Sequence, residues 1–136
     1  MPKQQNSFAQ RLYLSAKKVR NHSYSPYSKY KVGAAIRAKN NKIYVGCNWE
    51  NSSLPVGDCA EKSAIAAMIS DGQKEILEVC VVSHTPGGAS PCGLCRQALS
   101  EFATDKTKVH VADTKRIHKT YNFEEILPSR YSASDW

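Results

Sequence analysis

Two short segments constrain this chain more than any other feature. GDCAEKSA spans residues 57–64 and SPCGLCRQ spans residues 90–97. In each, a cysteine stands at the opening of an alanine-containing stretch with helical character, and between them lies ILEVCVVSH, which reads as a largely buried strand. A helix, a strand and a second helix in that order let the two helix starts converge on one point. The convergence would bring together Cys59 from one helix and Cys92 and Cys95 from the other.

Helix N-termini carry partial positive charge and free N–H groups, and both stabilise a thiolate. Three thiolates suit zinc, and three protein ligands leave one tetrahedral position open, the mark of a catalytic site. A water in that position has its pKa lowered to about 7. Glu61 lies two residues after Cys59 and is not needed as a ligand, so the sequence predicts a proton carrier there. Lys62, next along the chain, is expected to support the site's charge balance. A structural site would instead need a fourth ligand, for which Cys47, Cys80, His84 and His110 are the candidates. Cys47 and Cys80 lie in apolar strands and read as plain core thiols.

The remaining elements follow from periodicity and punctuation. Phe8, Leu12, Ala16 and Val19 recur at helical spacing over residues 7–21. NHSYSPYSKY breaks that pattern. YKVGAAIRA and KIYVGCNW flank KNN as a β-hairpin with a tight asparagine turn. Asp58 ends a loop as the expected N-cap of the helix over 59–72, which Gly72 stops. Pro91 is expected to start the next helix. KVHVAD is a strand, residues near 115–121 suggest another, and NFEEIL is a short helix. The order predicts an α/β fold, a sandwich with a mixed sheet and helices on its faces. With 136 residues and no linker or repeat, one domain over 1–136 is expected, with residues 1–20 as an N-terminal helix or arm and 129–136 as a tail.

Composition narrows the function classes. No stretch approaches the ~18 apolar residues of a membrane span. The N-terminus lacks the apolar run of a secretory signal, so a cytoplasmic protein is expected. Five cysteines, an odd number including one C-x-x-C, favour metal or redox chemistry over a disulfide framework. Net charge is +7, unevenly placed: the first 49 residues hold ten Lys or Arg and no acid. A basic half can attract nucleic acid, but these cations form no compact run, and a solvated basic face is the expectation.

A metal ligand, one residue, then Glu, followed later by P-C-x-x-C, is the signature of zinc deaminases in its three-cysteine form. The chain resembles the cytidine deaminases of the short, single-domain kind. The resemblance is carried by SPYSKYKVGAA, GCNWEN, CAEKSA, SPCGLCRQ and EILPSRY, and runs from about residue 24 to 131. It implies a three-layer α/β/α sandwich with about five strands, one zinc per chain and a homotetramer with sites shared across interfaces. It implies zinc-dependent hydrolysis of cytidine and 2′-deoxycytidine to uridine and 2′-deoxyuridine with release of ammonia, as in pyrimidine salvage. By the same resemblance Asn48 and Glu50 would bind the ribose hydroxyls, Tyr30 would pack on the pyrimidine and Ala60 would offer backbone contacts. Tyr131 matches an aromatic that closes over a site, often a neighbour's.

Three positions depart from the family pattern: Lys62 in place of arginine, Leu54 in place of an aromatic, and Lys31, which adds charge near the expected base pocket. A related zinc deaminase could instead act on a modified nucleoside, a nucleotide or cytosine in a polymer. A free hydroxyl pair for Asn48 and Glu50 favours the nucleoside, since a phosphate beside Glu50 would be repelled.

Overall fold

The computed structural model describes residues 7–136. The first six residues of the expected N-terminal arm lie outside the described residues. In chain order the main elements are α1 (Ser7–Arg20), β1 (Gly33–Ala38), β2 (Ile43–Cys47), α2 (Ala60–Ser70) and β3 (Ile76–Val82). They continue with α3 (Gly93–Ser100), β4 (Ala103–Ala112), β5 (Ile117–Asn122) and α4 (Phe123–Ile126). Short 3-10 turns cover Leu54–Val56 and Ala133–Asp135.

The five strands form one sheet in the order β2-β1-β3-β4-β5. β1 runs antiparallel to both β2 and β3, β3 pairs parallel with β4, and β5 returns antiparallel. The one parallel pair, β3 with β4, needs a crossover, which α3 and its preceding loop supply. That crossover brings the C-x-x-C segment back over the sheet.

Alternation along the strands sorts the residues onto two faces. On one, Leu12, Tyr13 and Ala16 of α1 pack against Ala35, Cys80, Val82 and Ala112. On the other, Ala64 and Met68 of α2, Leu99 of α3 and Phe123 of α4 pack against Ile36, Val79, Val81 and Val109. Helices on both faces of a mixed sheet make the three-layer sandwich that the sequence predicts. The buried seam of α1 is Leu12, Tyr13 and Ala16, whereas Phe8 is half-buried, with the Arg37 guanidinium 4.3 Å from its ring centre.

Gly46 of β2 sits directly against α2: a Cβ there would lie 2.4 Å from the Ala64 nitrogen and 2.7 Å from the Ala60 carbonyl. This close approach seats the helix that carries Glu61. The helix ends as expected at Gly72, whose positive φ of 83° closes it. Gly72 N–H donates to the Ile69 carbonyl and Gln73 N–H to that of Met68, a Schellman closure.

Both helix starts differ from the sequence expectation by a residue or two. Asp58 is not the N-cap of α2; Cys59 is. The reason is long-range: Asp58 exchanges backbone hydrogen bonds with Trp49 in an isolated bridge, at 3.0 and 3.1 Å, which holds it outside the helix. Likewise α3 starts at Gly93 with Cys92 as N-cap, and Pro91 precedes it. β4 begins at Ala103, five residues before the expected Lys108. Its first half is mostly exposed, so it lacks the apolar pattern of a strand.

Candidate active site

Cys59 and Cys92 each occupy the N-cap of their helix, and Cys95 sits in the first turn of α3. Their sulfurs lie within 4.8 Å of one another. Tetrahedral Zn–S bonds of ~2.3 Å place sulfurs about 3.8 Å apart, so this donor set fits zinc in spacing as well as in chemistry. Cys95 hydrogen-bonds Cys59 and holds its thiol below the ordinary value, at about 7. The same bond and burial push Cys95 up. The two thiols stand at the N-termini of different helices, where a metal can take the place of their protons.

Glu61 is 5% exposed and lines the same cavity as the three cysteines. Burial raises its pKa, so the carboxyl holds a proton more readily than an exposed glutamate does. A carboxyl raised in this way by burial is better suited than an exposed one to accept a proton and hand it on.

The other wall of the cavity comes from the segment before β1 and from the end of β2. Asn48 Oδ1 accepts from Ser23 Oγ at 2.5 Å and from Val32 N–H at 2.8 Å, and its Nδ2 donates to the Tyr30 carbonyl at 2.8 Å. The amide therefore ties the wall together and keeps one N–H for a ligand. Glu50 Oε1 accepts from the N–H groups of Tyr27 and Ser28, at 3.0 and 3.2 Å, and Oε2 from the Ser28 hydroxyl. The Ser28 hydroxyl and these N–H groups lower the Glu50 pKa, so its carboxylate stays ionised. Tyr30 and Ala60 also line the cavity, whose volume is about 320 Å³.

Thus Glu61, the three cysteines, Tyr30, Asn48, Glu50 and Ala60 share one cavity. Tyr131 does not line it: the side chain is exposed, its hydroxyl accepting from Trp136 Nε1. Lys62 points its charge at Asp58, with Nζ 3.1 Å from Oδ1, and that contact raises its pKa, with Cys59 and Cys95 as smaller influences. Lys31 is exposed and lines a different depression, with Ser23, Tyr24 and Pro26, so it adds no charge to this cavity wall. Of the alternative fourth ligands, neither Cys47, Cys80, His84 nor His110 joins the sulfur cluster among the described residues.

The sequence alone did not mark Ser28, Ser83, Thr85 or Ser90. Ser28 clamps Glu50, Ser83 and Ser90 line the cavity, and Thr85 meets Tyr30. One signal was available for Ser28. A hydroxyl in a proline-bounded turn caps nearby N–H groups, and Ser28 Oγ accepts from Tyr30 N–H at 3.0 Å.

A family model described as the cytidine and deoxycytidylate deaminase zinc-binding region matches residues 6–111. The chain is 38% identical over 126 residues to a cytidine deaminase of Sporosarcina psychrophila, covering 93% of each. It is 42% identical over 113 residues to one of Mycoplasma genitalium, covering 82% of this chain and 86% of that protein. Among solved structures, the cytidine deaminase from Burkholderia pseudomallei matches at a TM-score of 0.84 and 31% identity, covering 90% of this chain and 98% of that one.

Proposed function

The chain belongs to the cytidine deaminase family, and on that premise we propose that it deaminates cytidine and 2′-deoxycytidine hydrolytically, with Glu61 as proton carrier and Cys59, Cys92 and Cys95 holding one zinc. One observation carries this reading: three mutually close thiols and a buried carboxyl with a raised pKa share a cavity with Asn48 and an ionised Glu50.

When bound, zinc supplies Lewis acidity and lowers the pKa of a water. Glu61 takes a proton from the attacking water and delivers it to N3 of the base. The C4–O bond forms, and Glu61 then takes the remaining proton from the new C4 hydroxyl and passes it to the amino group, so that the C4–N bond breaks, ammonia leaves and the C4 carbonyl forms. Tyr30 packs on the pyrimidine and the Ala60 backbone contacts the base. Asn48 and Glu50 hold the ribose: the free N–H of Asn48 donates, and the Glu50 carboxylate accepts from the sugar hydroxyls. An ionised Glu50 also favours a free nucleoside over a nucleotide or polymer.

The unit is one domain over 1–136, supported by a single sheet with helices on both faces. No described helix is long and apolar enough to cross a membrane. A thiol zinc set suits a reducing compartment, which supports a cytoplasmic location. A homotetramer is supported by the rim of the site. A groove that shares Asn48, Glu50 and Cys59 is walled by Trp49, Leu54 and Leu94, with Leu54 68% and Leu94 63% exposed. Apolar side chains grouped beside a site suit burial by another copy, and the exposed Tyr131 ring suits closure over that copy's cavity. Light scattering after size exclusion reads the assembly directly.

The deciding experiment is the ultraviolet spectrum of cytidine and deoxycytidine with purified protein, with zinc per chain determined on the same sample. Conversion to a uracil spectrum with one zinc per chain is expected. Zinc without turnover of either nucleoside would redirect the search to modified nucleosides.

A further inference from the structure

Tyr30 and Thr85 join two walls of the cavity that come from different parts of the fold. Tyr30 belongs to the segment before β1, and its backbone is fixed on both sides. Its N–H donates to Ser28 Oγ at 3.0 Å, and its carbonyl accepts from Asn48 Nδ2 at 2.8 Å. Its hydroxyl lies 2.5 Å from Thr85 Oγ1, and its ring meets His84 edge-on at 4.9 Å. Thr85 belongs to the loop between β3 and α3, which supplies Ser83, Ala89 and Ser90 to the cavity and leads into Cys92.

That loop has little side-chain mass of its own. Thr85 closes a turn by accepting from Gly88 N–H at 2.8 Å, and Gly87 and Gly88 have φ of 82° and 83°. Small residues bury little apolar area, so such a loop is held mainly by polar anchors. One anchor lies on β4's side, where Gly87 N–H donates to Asp113 Oδ2 at 3.1 Å. Ser83 N–H adds a bond to the Ala112 carbonyl at 3.2 Å on that same side, and on the opposite side the loop is met by the Tyr30 hydroxyl.

We infer that Tyr30 is a positioning residue whose hydroxyl, through Thr85, holds the loop wall of residues 83–90 at the width that fits the pyrimidine ring. The inference rests on the cytidine reading for the identity of the substrate. Cys59 and Glu61 stand at the start of α2, which the core seats independently of this loop, whereas Cys92 and Cys95 follow the loop directly. The latch therefore acts on the width of the base pocket, while Glu61 keeps its place on α2.

The test is a double-mutant cycle on the zinc-loaded enzyme with Tyr30→Phe, Thr85→Val and the pair. Each single variant keeps the shape and removes one hydroxyl. KM for cytidine is expected to rise ~3–10-fold in each, the net worth of one hydrogen bond, with kcat essentially unchanged. The double variant should match the singles, because the two changes remove the same bond. Hydrogen–deuterium exchange should quicken over residues 83–90 in both singles and stay unchanged over 60–70. A Tyr30→Phe effect with Thr85→Val at wild-type values would overturn the inference, because the hydroxyl would then act without Thr85. Additive losses, a fall in kcat alone or unchanged exchange would overturn it as well. Failure of the wild type to deaminate cytidine would sink the substrate reading, while the exchange result would still decide the latch.

Discussion

The Ser28 hydroxyl donates to one oxygen of the Glu50 carboxylate while the Ser28 and Tyr27 N–H groups close on the other. Glu50 is thereby fixed before any substrate arrives, and the cost of ordering a long side chain is already met in the free protein. Ser28→Ala should raise KM for cytidine roughly 10–100-fold, the worth of a hydrogen bond to a charged group. If the clamp serves the sugar hydroxyls, the penalty should vanish with 2′,3′-dideoxycytidine. An equal penalty on both nucleosides would mean that Ser28 acts elsewhere.

Glu61→Gln keeps the shape of the side chain and removes its ability to carry a proton. Turnover should fall ~10²–10⁴-fold, the usual worth of one acid–base group. Zinc per chain should stay the same, because the thiols are untouched. A variant as active as wild type would show that the buried carboxyl is a bystander.

The five cysteines should divide into two classes. Cys80 is 0% exposed on the α1 face, and burial pushes its thiol up to about 12. It is a core side chain, so Cys80→Ala should keep the zinc and cost roughly 1 kcal/mol for the small cavity left behind. Burial also raises Cys47, and Cys47→Ala should likewise keep the metal. Cys59→Ala, Cys92→Ala or Cys95→Ala should lose it, and with it much of the thermal stability. Metal analysis beside a melting curve separates the classes.

The parts of this site legible in the sequence are those set by local rules. Cys59, Glu61, Cys92 and Cys95 are placed by helix starts, and a helix start has a short-range signature. The alternating strands and the Gly72 stop are local for the same reason. What stayed hidden depends on partners far along the chain. Ser28 finds Glu50 22 residues away, and Tyr30 finds Thr85 55 away. Strand pairing sets both, and no local pattern announces them. Asp58 is not the cap because Trp49, nine residues earlier, claims its backbone through a bridge that no helix signal announces. The exposed first half of β4 shows the converse: without one buried face, a strand loses the alternation that would reveal it.

Asp113 gives the chain a defined acid sensitivity. The residue is buried, which alone would raise its pKa. The N–H groups of Lys115, Arg116 and Gly87 and the His118 ring outweigh burial and hold it well below the ordinary value of 3.8. His118 Nε2 lies 2.6 Å from Oδ2, and the Tyr13 hydroxyl donates to the Asp113 carbonyl at 3.1 Å. A carboxyl depressed by folding contributes stability above its unfolded value and loses it as pH falls toward the folded one. Asp113→Asn should therefore lower Tm by several degrees at pH 7. The gap to wild type should narrow steadily below about pH 4. A gap of constant size through that range would mean that the carboxylate charge contributes nothing.

Gly46 tests whether the helix carrying Glu61 is seated by backbone contact. A Cβ at this position would come 2.4 Å from the Ala64 nitrogen and 2.7 Å from the Ala60 carbonyl, both backbone atoms of α2. Neither can swing aside as a flexible side chain would, so the whole helix must shift. Overpacking of this kind costs about 1–3 kcal/mol. Because Cys59 caps that helix and Glu61 lies in its first turn, the shift should also displace the Cys59 thiol and the Glu61 carboxyl together. Gly46→Ala should melt earlier than wild type, bind zinc less tightly and lose kcat more than KM. Gly72→Ala is the informative control. Its φ of 83° strains any side chain, but no atom lies within 4 Å of the added Cβ. It should lose stability while the folded enzyme keeps its kcat. If both variants lost kcat equally, general destabilisation rather than the seat of α2 would explain the effect.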